Sequence, residues 1–231
     1  MPKHIGIVAV SPEGSAFCYR MIGRRCSEVD DPARRPVVTL HNKPFSSYVE
    51  RLNEKDWEGM AHLLIDSARV LNNAGADFCV LPDNVAHHAL QLVEGQSPVP
   101  FLNMIELVAD AVQGAGCSKI GLIGTQYVMS GSTYQTVLGL RGMHLLVPEA
   151  DEAEDIDSII FNEAIYGSVR QESKAKVMKA IMRLGQRGCD AVVLGSSEAS
   201  LLMAVEESPL PVFDPVELLA DSAVRWALQG D

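Results

Sequence analysis

Apolar residues gather in short runs along this chain, at positions 5–10, 37–40, 78–81, 120–124, 145–147 and 191–194. Each run is too brief for a helix and has the length of a buried strand. Between the runs lie stretches of roughly 10 to 20 residues with helical spacing of their apolar positions. One covers 56–74, with Met60, Leu63, Leu64 and Val70 as its stripe, and another covers 156–184 with a break near Gly167. Strands alternating with helices predict an α/β fold built on parallel sheets.

The second half of the chain repeats the first. Ile5-Gly6-Ile7-Val8 recurs as Ile120-Gly121-Leu122-Ile123, and Gly75-Ala76-Asp77 recurs as Gly188-Cys189-Asp190, 113 positions later. The same offset carries Asp83 onto Ser196 and Asn84 onto Ser197. Pro100-Phe101-Leu102, followed by Glu106-Leu107-Val108-Ala109-Asp110, returns as Pro211-Val212-Phe213 with Glu217-Leu218-Leu219-Ala220-Asp221. Matches in one order along the chain indicate a duplicated α/β unit and two pseudo-symmetric lobes. Ligands of parallel α/β sheets bind beyond the C-terminal strand ends. Asp83 and Ser196 are therefore expected to flank one cleft, the arrangement needed to remove a proton from one face of a carbon and return it on the other.

Composition narrows the functional classes. The 231 residues carry a net charge of −11 without a Lys/Arg cluster, which argues against a nucleic-acid partner. No apolar run approaches the roughly 20 residues that cross a bilayer, so no membrane role is expected. Met1-Pro2-Lys3-His4 leads directly into a strand-like segment, so no signal peptide is expected. The five cysteines, 18, 26, 79, 117 and 189, show no metal-ligand spacing and read as reduced thiols of a cytoplasmic protein. Cys79 and Cys189 read as buried small hydrophobes. His87 and His88 lack the Cys/His/carboxylate cluster that a metal needs, and residues 5–14 lack a Gly-x-Gly-x-x-Gly pattern for a dinucleotide.

Several motifs together resemble the cofactor-independent aspartate/glutamate racemase superfamily, nearest its aspartate and broad-specificity amino-acid racemases. They are Ile5-Gly6-Ile7, Tyr19-Arg20, Gly75-Ala76-Asp77, Asn84 with His87, and Gly124-Thr125. Pro148-Glu149-Ala150-Asp151-Glu152, Leu194-Gly195 with Glu198, and Leu210-Pro211-Val212-Phe213-Asp214 continue the series. The resemblance implies two lobes, each with a parallel four-stranded sheet flanked by helices, and a site in the cleft between them. The first lobe would take residues 1–102 plus 213–231, including a returning C-terminal helix, and the second 103–212. It also implies a homodimer, a small amino acid or dicarboxylate as substrate, and neither pyridoxal phosphate nor metal.

The family's usual acid/base pair is two cysteines, in Cys-Asn-Thr and Gly-Cys-Thr-Glu. Here Asp83 stands in the first position and Ser196 in the second, with Val85 for the first Thr and Ser197 keeping the second hydroxyl. The first-loop glycine pair is replaced by Ala9-Val10-Ser11-Pro12, and Tyr48 or Ser47 and Ile165 fall near positions where basic residues would meet a distal carboxylate. Asp83 and Ser196 are the expected catalytic positions. Asn84, Val85, Thr125, Ser197, Glu198, Ser11 and Tyr48 are the expected substrate contacts, and His87 a support of the loop. A serine hydroxyl without an activating neighbour is a poor base, whereas a carboxylate is a competent one. Asp83 also fits a helix N-cap, as do Ser196 and Ser197, and the acidic run 149–157 reads as a solvated loop and helix start. Three functions remain open: proton transfer at the carbon alpha to a carboxylate, decarboxylation or cis–trans isomerisation of a di-acid, and carboxylate binding without turnover.

Overall fold

A computed structural model describes residues 1–229, without the side chains of residues 199 and 200. It divides into two compact units, Met1–Met104 with the chain from Leu219 onward, and Ile105–Leu218. Each is a parallel four-stranded sheet flanked by helices.

In the first unit the order of elements is β1 (Ile5–Ala9), α1 (Pro12–Ser27), β2 (Val38–Asn42), α2 (Phe45–Glu54), α3 (Trp57–Asn73), β3 (Phe78–Val80), α4 (Leu90–Val93) and β4 (Phe101–Leu102). The strands lie in the order β2-β1-β3-β4, with Ile5 paired to Val38 and to Phe78. The chain moves outward from β1 to β2, then crosses back to β3, so β1 and β3 bound the point where the connection direction reverses.

Helix α3 forms where the 56–74 periodicity places it. Asp56 caps it by accepting the Gly59 N–H at 2.8 Å, and Gly75, at φ 94°, ends it in a left-handed conformation that costs glycine little. Met60, Leu64, Ile65 and Leu71 are buried against β1 and β3, each contributing about 1.5–3 kcal/mol of apolar burial. Val70 does not join them: it is exposed, because the stripe continues through Ser67, Ala68 and Leu71 instead.

In the second unit α5 (Met104–Gly114) is followed by β5 (Lys119–Gly124), α6 (Gln126–Met129), α7 (Ser132–Leu140), β6 (His144–Leu146) and α8 (Ala150–Asn162). Then come α9 (Gln171–Gln186), β7 (Ala191–Gly195), α10 (Ala199–Leu202), β8 (Val212–Phe213) and α11 (Pro215–Leu228). The sheet order is β6-β5-β7-β8, the first unit's order repeated. The helix expected over 156–184 is two helices, α8 beginning six residues earlier at Ala150 and broken from α9 by Gly167 at φ 81°. Two-residue strands β4 and β8, too short for a periodic signal, complete the sheets at the repeated Phe101-Leu102 and Val212-Phe213 positions.

The repeat is physical as well as textual. Asp77 and Asp190 each follow a glycine with positive φ, Gly75 and Gly188, and each carboxylate accepts main-chain N–H groups just ahead of the first strand of its unit. These are His4 N–H for Asp77 at 2.6 Å, and Ser118 and Lys119 N–H for Asp190 at 2.9 and 3.1 Å. The helices after β4 and β8 also correspond. Arg141 pairs with Asp110 and Glu106 of α5, and Arg25 of α1 pairs with Asp221 of α11. Trp226 of α11 packs on Phe78 with ring centroids 4.4 Å apart. From Leu219 onward α11 therefore belongs to the first unit, where Trp226 packs against β3.

Cys79 and Cys189 are buried, and burial raises both thiols, Cys79 to about 12, which keeps them protonated and inert. Among the described residues no helix is long and apolar enough to cross a membrane.

Candidate functional site

In each unit, two adjacent strands end in polar turns. After β1, Ser11 caps α1: its Oγ accepts the Gly14 N–H at 3.2 Å. After β5, Thr125 caps α6 by accepting the Val128 N–H at 3.4 Å. Ser11 and Thr125 are buried at corresponding places in the two sheets. Both caps make the local structure that Ser and Thr favour at helix starts.

The neighbouring strands, β3 and β7, end in matching turns. Asp83 N–H donates to the Leu81 carbonyl at 2.9 Å, and Ser196 N–H donates to the Leu194 carbonyl at 2.8 Å. Both are bonds to the residue two positions back, and they lie 113 positions apart. Equal backbone geometry sets different side chains at equivalent places, a carboxylate in one unit and a hydroxyl in the other.

Asp83 is half-buried, and its Oδ1 accepts the Ala86 N–H at 2.7 Å. Capping is therefore real at this position. His87, 4% exposed, secures the turn from below. Its Nε2 accepts the Met104 N–H at 3.0 Å, so the ring proton is on Nδ1, which donates to the Asp83 carbonyl at 2.7 Å. Burial lowers its pKa to about 4, keeping the ring neutral. His88 turns outward and packs at a tilt of 52° on Trp57, 4.3 Å between ring centroids, so the adjacent histidines serve separate structural ends. Among the described residues no cluster of three His, Cys, Asp or Glu is placed to hold a metal ion.

Asn84 is buried and Val85 half-buried beside Asp83. Tyr48, on α2, is 2% exposed, and its buried hydroxyl faces the Ser67 hydroxyl. Burial raises the Tyr48 pKa, the Ser67 hydroxyl opposes the rise, and the charge of Asp83 adds to it. Asp83 therefore acts electrostatically on Tyr48 within the first unit.

In the second unit Ser196, Ser197 and Glu198 are all buried. Ser196 Oγ donates to Glu198 Oε2 at 3.0 Å, and the Glu198 N–H donates to Ser196 Oγ at 3.3 Å. Ser196 thus accepts the N–H of the residue from which the helix was expected to run, and α10 itself begins one residue later at Ala199. Gly124 and Gly195 pair in register just before Thr125 and Ser196, and a Cβ on Gly124 would meet the Gly195 carbonyl oxygen at 2.6 Å. The two site turns of this unit approach closely because both strands end in glycine.

The acidic run is the solvated helix start expected, with Glu149, Asp151, Glu154 and Asp155 exposed on or just before α8, and two of its members also make contacts. Asp157 Oδ1 accepts the Gln126 N–H at 2.7 Å, beside Thr125, and Glu152, with a side chain 12% exposed, pairs with Arg183. Asp157 lies 31 residues from Gln126, so no local pattern reveals it. Asp214 was likewise invisible as a perturbed group: it caps α11 through the Val216 N–H at 2.8 Å, and burial raises its pKa to about 7.

The sequence model of the Asp/Glu/hydantoin racemase family matches residues 7–223. A broad-specificity amino-acid racemase, RacX of Bacillus subtilis strain 168, is 22% identical over 212 residues, covering 92% of this chain and 88% of the relative. The crystal structure of an aspartate racemase homologue from Pyrococcus horikoshii OT3 superposes with a TM-score of 0.84 at 26% identity, covering 97% of this chain and 99% of that one. Aspartate racemase of Picrophilus torridus shares the fold, with a TM-score of 0.76 at 19% identity over 98% of this chain and 94% of that one.

Proposed function

The chain belongs to the Asp/Glu/hydantoin racemase family, and we propose that it is a racemase or epimerase transferring a proton at the carbon alpha to the carboxylate of an amino acid. One observation supports this reading above the others. Asp83 and Ser196 close equivalent turns at the ends of β3 and β7, each beside the strand whose end carries a hydroxyl cap. Strand ends at a reversal of connection are where parallel sheets receive ligands.

On this reading Asp83 is the base of the first unit. The neutral His87 fixes its main chain, and the Ala86 N–H orients its carboxylate. Asn84, Thr125 and Ser197 hold the substrate carboxylate, with Ser11, Val85, Tyr48 and Glu198 as further contacts. An electron pair left at the alpha carbon delocalises into that carboxylate, whose developing charge hydrogen-bond donors stabilise. The reading requires neither pyridoxal phosphate nor metal. The family resemblance supports a homodimer, and the reduced thiols support the cytoplasm.

The test is incubation with each enantiomer of a broad amino-acid panel in heavy water. Deuterium at the alpha position together with the opposite enantiomer is the expected result, and no exchange with any amino acid sinks the reading. The chemical inequality of Asp83 and Ser196 supports a second reading, a reaction with one proton transfer. Carbon dioxide release from substituted malonates, without exchange of amino acids, would establish it. Thermal stabilisation by a carboxylate without any turnover would instead mark a binding protein.

A further inference from the structure

The turns after β1 and β5 are counterparts in the repeat, and each buries a hydroxyl, Ser11 or Thr125, that caps the helix that follows. The two turns are held in different ways. In the first unit the residue after the cap is Pro12, whose ring fixes φ at about −65° and which has no N–H to satisfy. The helix it opens runs for 16 residues. In the second unit the residue after the cap is Gln126, and α6 is only four residues long. A single turn bears the cost of nucleation without the later bonds that offset it, so α6 has little stability of its own. Gln126 also carries a main-chain N–H that its own helix cannot satisfy. Asp157 Oδ1 accepts that N–H at 2.7 Å, from α8. The carboxylate is itself firmly set, because Ile156 and Ile160, on either side of it in sequence, are 1% and 2% exposed in the core of the second unit.

We infer that Asp157 is a positioning residue for Thr125: its carboxylate holds the 125–126 turn as the ring of Pro12 holds the turn after Ser11, and so fixes the hydroxyl that meets the substrate carboxylate. This rests on the racemase reading, which makes Thr125 a substrate contact. Asp157 acts through Thr125 and does not itself meet the substrate. The carboxylate on the alpha carbon is common to both enantiomers, so a displaced Thr125 weakens the binding of both alike. The groups that move the proton stay where they are. Loss of Asp157 therefore falls on KM more than on kcat.

Steady-state racemisation, measured from each enantiomer of an amino acid that the wild type turns over, tests the assignment. Asp157→Ala is expected to raise KM about 10-fold from both enantiomers and to lower kcat by less than about 3-fold. Asp157→Asn keeps an oxygen that accepts the Gln126 N–H, so its KM should stay within about 3-fold of wild type. The decisive variant combines Gln126→Pro with Asp157→Ala. Thr125 has φ −69° and ψ 160°, an extended conformation compatible with a following proline. The new ring removes the N–H and fixes the turn, and KM should return to within about 3-fold of wild type. An unchanged KM in Asp157→Ala overturns the assignment, even with a lower melting temperature, and leaves Asp157 a role in stability alone. A raised KM that persists in a folded double variant also overturns it, because Asp157 then acts by something other than fixing the turn. Both results leave the racemase reading standing. If the wild type exchanges no amino acid, the racemase reading falls and the positioning role with it.

Discussion

His87 donates its Nδ1 proton to the main-chain oxygen of Asp83 at 2.7 Å, while its other ring nitrogen accepts from Met104 at 3.0 Å. The ring can do both only when neutral. Its pKa falls from 6.5 to about 4 on burial, so between these values the unfolded chain binds more protons than the folded one. Stability contributed by His87 is fully present above pH 6.5 and is lost as pH falls toward 4, up to roughly 3 kcal/mol. His87→Ala is expected to lower stability at pH 8 by about 2–3 kcal/mol and to flatten the slope below pH 6.5. Urea titrations at pH 5 and pH 8 read both effects; an unchanged slope would refute the assignment.

Asp83 combines a helix-capping bond with a proposed base, and two substitutions separate them. Asp83→Asn can still accept the Ala86 N–H, so its melting temperature should stay close to wild type while exchange falls about 100-fold or more. Asp83→Ala also loses the cap, at a further cost of about 1 kcal/mol. Full activity in Asp83→Asn would reduce the residue to its cap.

Asp214 has the opposite pH sense from His87. Its pKa is raised from 3.8 to about 7 by burial, so its contribution is present below pH 3.8 and lost as pH rises through 7. Asp214→Asn retains an acceptor for the Val216 N–H without the buried charge. It should exceed wild-type stability at pH 8 by on the order of 2 kcal/mol and show no advantage at pH 3.5, measured by denaturant midpoint.

Gly124→Ala brings a Cβ to 2.6 Å from the Gly195 carbonyl oxygen, a main-chain atom that cannot swing aside. The expected loss is about 2–4 kcal/mol, larger than for an exposed glycine, because β5 and β7 must separate. Gly139→Ala is the control: nothing lies within 4 Å of its Cβ, and helix α7 should gain about 0.5–1 kcal/mol. Equal thermal shifts for the two variants would contradict the close-approach explanation.

Tyr48 buries its hydroxyl against that of Ser67, so Tyr48→Phe should change stability by no more than about 1 kcal/mol. If the hydroxyl meets substrate as proposed, the same variant raises KM without such a stability cost. An unchanged KM together with unchanged stability would remove Tyr48 from the substrate contacts.

Much of the architecture was legible in the chain itself. The 78–81 and 191–194 runs became β3 and β7, and the repeated Gly-x-Asp triplets marked one structural device used twice. Such features depend on residues near one another in sequence, whose periodicity and backbone preferences act locally. For the same reason Asp56 and Gly75 could be read as the ends of α3, and Ser11 and Thr125 as polar turn residues. Val70 was misread because an apolar residue near a stripe is not thereby inside it; Ser67, Ala68 and Leu71 shared the inner face instead.

By itself the sequence determined the α/β class, the duplication and the unusual Asp83/Ser196 pair, because periodicity, repeated triplets and residue types are written along one dimension. Tertiary structure alone decided that Asp157 supports the Thr125 turn and that His87 stays neutral. It also directed the Ser196 hydroxyl at Glu198. These depend on which distant groups become neighbours and how far water is excluded from them. Desolvation and hydrogen-bond geometry belong to the packed chain, not to the order of its residues.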